Sequence, residues 1–258
     1  MVQYDGTDFF GSQIQPGKRT VQGTLKETIK KIFGIEVQLL FASRTDRGVH
    51  ATHNVCTFKP KIFRSGTTFS GFLQLDRLPD VLNEHLPEDL RVVQARSVPK
   101  SFHPRYMAIR RDYQYRIFLS RRDDIRYHRF SARISDELDL GTMKLAASLF
   151  KGKRDFTRFA VSASEIKDPV CELYELKLFT RGRFLIVKIS ANRFLRKMAC
   201  KIVGALVQVG RGECSIDKIR NALEGQKPEP PFLDMPGKGL TLVNIVYPED
   251  VLSEWEKP

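Results

Sequence analysis

The chain has 258 residues with a hydrophobic fraction of 41%, enough for one large or two small folded cores and too apolar for a disordered segment. The formal charge is +13, and residues 100–201 supply the excess, which suits a phosphate backbone better than a neutral partner. No apolar run approaches the ~20 residues of a membrane helix, the N-terminus lacks the apolar core of a signal peptide, and the four cysteines show no CxxC spacing. A cytoplasmic location is therefore expected, with no membrane partner, no metal site and no disulfide scaffold.

A short strand opens the chain at residues 1–4. Val21, Leu25, Ile29, Ile32 and Phe33 then fall on one helical face, after a Thr20 cap and before Gly34. Strands are predicted at 36–42 and 53–58, a helix near 76–86 with Pro79 in its first turn, and a strand at 90–98. The second half repeats this order. It has a long strand at 107–119, a helix at 138–151, and strands at 172–179 and 184–191 about a turn at Arg181-Gly182-Arg183. Helices near 193–209 and from Ser215 to Gly225 follow, and then a strand at 240–247. Residues 120–133 read as a basic, mobile connection and 228–236 as a proline-rich loop.

Two β-α-β-β-α-β units indicate an α+β fold of two ferredoxin-like halves, 1–104 and 105–258. Their antiparallel sheets are expected side by side, with a central active-site cleft. The halves share element order only, without sequence identity.

The run Arg44-Thr45-Asp46-Arg47-Gly48-Val49-His50 lies between two predicted strands and sets one carboxylate between two guanidiniums. An aspartate held there serves as nucleophile or base, or forms an Asp-x-Gly turn by bonding its own backbone. Spacing leaves both readings open. His50 and His53 are sent to opposite strand faces, against a shared metal. His103 and His128, in basic surroundings, read as surface histidines or RNA contacts.

Seven motifs in order change that balance. RTDRGVHA, with YDGTDFFGSQIQ (Tyr4 to Gln15), NEHLP (83–87), SFHPRY and RDYQY (101–115), DFTRF (155–159), ANRFLRKM…IVGALVQVG (191–210) and GLTLVNIVYP (239–248), resembles the tRNA pseudouridine synthase A family over nearly the whole chain. The resemblance implies a homodimeric isomerase, without cofactor, that binds tRNA. It would convert uridine to pseudouridine at tRNA positions 38, 39 and 40, after the target base is flipped from its stem. It implies Asp46 as the catalytic carboxylate. Arg44 would fill the gap left by the base, or position Asp46 by a salt bridge. Tyr113 would stack on the uracil and Leu240 would line its pocket.

The chain also departs from that pattern. Cys200 stands where the family helix carries an arginine paired with the catalytic aspartate, and Cys171 where a strand arginine is usual. On a helix, Arg196 would share a face with position 200 and substitute for the lost partner. Ser12 replaces a usual tryptophan, a departure of less apparent weight. Alternatives are a pseudouridine synthase with another RNA target, an RNA-binding or folding module with lost catalysis, and a nuclease. The last lacks the clustered carboxylates a metal would need.

Overall fold

A computed structural model of the chain describes residues 1–60, 75–161, 167–226 and 230–253. It divides into two compact units, Met1–Ile109 with Leu242–Pro258, and Arg110–Thr241. The residues after 241, expected with the second half, thus belong with the first. Strands and helices mix as the α+β reading expects, and all but one of the strand pairings given below are antiparallel.

In the first unit β1 (Val2–Tyr4) pairs with β3 (His50–Asn54) on one side and β5 (Leu90–Val92) on the other. Helix α1 (Val21–Phe33) has the predicted bounds. Thr20 accepts the Gly23 amide proton at its N-terminus, a cap worth about 1 kcal/mol. Burying Val21, Leu25 and Ile29 is worth roughly 1.5–3 kcal/mol each. The single strand expected at 53–58 is two. At Val55 the chain leaves the β1 sheet, and β4 (Cys56–Pro60) pairs instead with β2 (Val37–Phe41) in a separate ribbon. At the break the Asn54 amide donates to Ser43 O and the Tyr4 hydroxyl, and Val55 O accepts from Ala42 N–H next to β2. Helix α2 (Leu78–Asn83) starts with Pro79 in its first turn, as expected. The strand expected to run to residue 98 ends at Val92, just before Val93 N–H turns to Met1 O.

The second unit is built on β6 (Arg110–Leu119), whose inward residues Arg111, Tyr113, Tyr115 and Ile117 alternate with less buried ones. The connection at 120–133 carries secondary structure of its own. It forms α3 (Ile125–His128) and leads into β7 (Ala132–Ile134), which runs parallel to β6. Tyr127 anchors it, with its ring edge-on to Phe184 at 4.9 Å. Helix α4 (Leu140–Ser148) is capped by Asp139. Strand β8 (Gly152–Asp155) pairs with β9 (Val170–Arg181), and β9 with β10 (Phe184–Ala191), which pairs in turn with β6. Helix α5 (Met198–Gly210) is buried almost all round and forms the core of this unit, with α4 packed on it. Helix α6 (Ile216–Leu223) starts at the Ser215 cap. Residues 230–236 run as a loop; Pro228 and Glu229, at the head of the expected proline-rich stretch, lie outside the described residues. Strand β11 (Leu240–Val246) begins in this unit. From Leu242 it belongs to the first unit, where it lies beside β3 and is followed by α7 (Glu249–Ser253).

Candidate active site

The loop between β2 and β3 carries the RTDRGVH run. Thr45 is buried, Asp46 half-buried, and Arg44 and Arg47 exposed. The N-terminal motif forms a cradle for it. Ser12 N–H donates to Thr45 O at 3.0 Å, and Thr45 N–H donates to Ser12 Oγ at 2.9 Å. The Tyr4 hydroxyl lies 2.8 Å from Thr45 Oγ1 and accepts from Asn54 Nδ2 at 3.0 Å. Gly48 N–H reaches Phe9 O, and Val49 N–H closes the turn on Asp46 O at 3.1 Å. The backbone on both sides of the Asp46 side chain is therefore tied down, which limits the directions its carboxylate can take.

Two glycines make this approach feasible. At Gly6 a Cβ would lie 2.0 Å from Val49 O, and at Gly11, with φ +89°, 2.8 Å from Thr45 O. The spacing of the Tyr4-Asp5-Gly6 and Gly11-Ser12-Gln13 motifs thus reflects two places where backbone lies directly on backbone. The Arg47 guanidinium covers the Phe10 ring at 4.3 Å, so this cation is held on the cradle. Burial pushes the Tyr4 phenol up to about 12, partly offset by its bonds with Thr45 and Asn54; at neutral pH it keeps its proton. His50 is buried and accepts the Gly6 amide proton at Nδ1, whereas His53 is exposed, as strand alternation requires. Among the described residues no group of three His, Cys, Asp or Glu side chains is placed to hold a metal.

In the second unit Tyr113 is 5% exposed, with its ring edge-on to Phe194 at 4.8 Å. Tyr115, on the same face, is fully buried and donates to Pro236 O at 2.7 Å. Its ring lies against Gly239, where a Cβ would come within 2.4 Å. Burial raises the Tyr115 phenol, with smaller contributions from Cys200 and Asp234. Leu240 follows Gly239 and opens β11, 5% exposed.

Arg196 does not lie on the helix. Lys197, at φ 65°, is the one non-glycine residue with positive φ among those described, and α5 begins only at Met198. The expected i, i+4 relation between Arg196 and Cys200 therefore does not exist, because the left-handed residue between them breaks the helical repeat. Arg196 is exposed in the preceding turn, where its carbonyl accepts from Val161 N–H. Cys200 and Cys171 are buried, and all four cysteines are free thiols rather than a disulfide pair. Burial raises the Cys171 thiol, opposed in part by the charge of Arg193 and by a hydrogen bond from it. A guanidinium thus stands beside the position where the resembled family has its strand arginine. His103 and His128 sit outside these clusters. His103 Nδ1 accepts from the Arg105 and Tyr106 amides, and exposed His128 lies 3.5 Å from Asp123.

The structure gathers Asp46, Thr45, Tyr4, Ser12 and Asn54 in one unit, and Tyr113, Leu240 and Arg196 belong to the other. Sequence reasoning passed over Ser12, Tyr4 and Asn54 as parts of the site. Their signal was polar side chains at inward strand or motif positions, which in a buried setting must find partners.

A family model described as tRNA pseudouridine synthase matches residues 1–107 and 146–248. Among curated proteins, tRNA pseudouridine synthase A of Thermodesulfovibrio yellowstonii is 34% identical, with 95% of this chain and 97% of that protein covered. The protein of that name from Thermoanaerobacter sp. (strain X514) is 38% identical over 96% of this chain and 98% of its own length. That from Dictyoglomus turgidum is 37% identical, with 95% and 97% covered.

Proposed function

The chain belongs to the tRNA pseudouridine synthase family, a family of isomerases, and from that premise we propose that it converts uridine to pseudouridine in tRNA, at positions 38, 39 and 40 of the anticodon stem-loop. The observation that carries the reading is the RTD loop, matched by the family model and seated on a dedicated cradle. In this reading the N1–C1′ bond of uridine breaks, the base turns, and a C5–C1′ bond forms as the C5 proton is lost and N1 gains one. The Asp46 carboxylate acts at the glycosidic bond as nucleophile or base. Arg44, exposed two residues before it, enters the stem as the base flips out, where its planar cation stacks on neighbouring bases. Tyr113 stacks on the uracil, Leu240 lines its pocket, and Arg196 contacts the nucleotide from the turn before α5. The protein works in the cytoplasm as a homodimer and needs no metal, ATP or organic cofactor.

The test is pseudouridine formation on an unmodified tRNA transcript with uridines at 38, 39 and 40, without metal or ATP. Native protein should form product, and Asp46→Asn should lose on the order of 10³-fold or more in turnover with tRNA affinity within a few fold. Activity in Asp46→Asn would remove that residue from the catalytic role. Tight binding without product on this transcript, but product on another RNA, would move the assignment to a different target. Binding without product on any RNA would favour a module that has lost catalysis.

A further inference from the structure

Residue 12 stands where the resembled family usually has a tryptophan, yet here it makes a two-point clamp. Ser12 is completely buried. Its amide donates to Thr45 O at 3.0 Å, and its hydroxyl accepts Thr45 N–H at 2.9 Å. The two bonds hold both backbone polar groups of the residue immediately before Asp46. Thr45 itself is 7% exposed, so water is a poor substitute acceptor for its amide. The Tyr4 hydroxyl holds the Thr45 side chain at 2.8 Å, which leaves little freedom at this position. A tryptophan side chain has no acceptor to offer Thr45 N–H.

We propose that Ser12 is a positioning residue of the modification reaction: its hydroxyl takes the place of a backbone acceptor for Thr45 N–H and so aims the Asp46 carboxylate. The inference rests on the catalytic reading of Asp46. Ser12 touches no substrate in this account. Its contribution passes through the Thr45–Asp46 peptide, where displacing a reacting group by about 1 Å costs on the order of 10²-fold in rate.

Single-turnover rates at saturating enzyme and tRNA affinities should be measured for native protein, Ser12→Ala, Ser12→Cys and Asp46→Asn. Ser12→Ala removes the acceptor and should slow the chemical step by roughly 10- to 100-fold with tRNA affinity unchanged. Ser12→Cys keeps the size and a weak acceptor, and should fall between the two. A purely structural role would lower the melting temperature without changing the rate of the folded fraction. If Ser12→Ala does not fold, the rate of folded Ser12→Cys decides. Native rates in either folded variant, with Asp46→Asn inactive, overturn the clamp alone. Native rates in Asp46→Asn overturn the reading on which it rests.

Discussion

The two units hold the residues of their sequence motifs by different physics. In the first, the Asp46 loop is tied by hydrogen bonds with Ser12, Tyr4 and the Phe9 carbonyl and by the Val49 amide, with side chains from β1 and β3 completing the network. In the second, Tyr113 packs edge-on against Phe194 and Leu240 is buried at the start of β11, and buried Cys171 and Cys200 occupy places where the resembled family has arginine. A directional network fails when one partner is removed, because a buried donor is left without an acceptor. An apolar contact tolerates a change of side chain so long as volume is kept. The comparison teaches that the Asp46 loop depends on individual buried polar partners, Ser12 among them, more than the packed aromatic and aliphatic residues of the second unit do.

The sharpest way to break that contrast is Gly6→Ala. The new Cβ would meet the Val49 carbonyl at 2.0 Å, backbone against backbone, so the loop must move. A loss of about 3 kcal/mol or more in denaturant unfolding is expected, together with loss of activity. A variant of native stability would mean that the cradle is soft. Next in size is Arg196→Ala, in a turn of the second unit. Since Arg196 is exposed and outside α5, stability should be unchanged while kcat/KM falls about tenfold, which corresponds to about 1.4 kcal/mol. An unchanged kcat/KM would remove Arg196 from the site.

The smallest effect is expected from Tyr4→Phe, which deletes one hydroxyl from the first unit's network at a cost of about 1 kcal/mol at neutral pH. Its pH dependence is more diagnostic. The folded phenol holds its proton to about 12 against an ordinary 10.0, so the stabilisation is present below pH 10 and is lost as pH rises through about 12. Alkaline unfolding curves of Tyr4→Phe should therefore be flatter between these values than those of the native protein. Buried Tyr115, raised in the same direction, retains part of the slope. Identical curves would show that Tyr4 does not titrate with unfolding.

Much of the secondary structure was legible because it rests on local rules. The Thr20 cap, the apolar face and Gly34 bounded α1 without any knowledge of its neighbours. Strict alternation identified β6 and put Tyr113 and Tyr115 on one face. Two glycines and a tyrosine were visible as a motif, but their purpose was not, since the residues they touch lie 30 or more positions away. The helix and strand within 120–134 were not legible because the charge of the segment suggested a solvent loop. Tyr127 holds it in place through a ring contact with Phe184 that composition does not reveal.

What the sequence alone determined is the α+β class, the principal helices and strands such as α1, β6 and β10, and a carboxylate on a loop between strands, all of which follow from periodicity and turn chemistry within a few residues. Tertiary structure decided that the chain changes sheets at Val55, that α5 starts after a left-handed Lys197 rather than at 193, and that residues 242–253 return to the first unit. It also decided that Ser12 rather than backbone satisfies Thr45 N–H. Each of these is a matter of which distant group satisfies a buried polar atom or fills a core. The period of a strand or helix constrains which face is buried; it does not specify the partner that covers it.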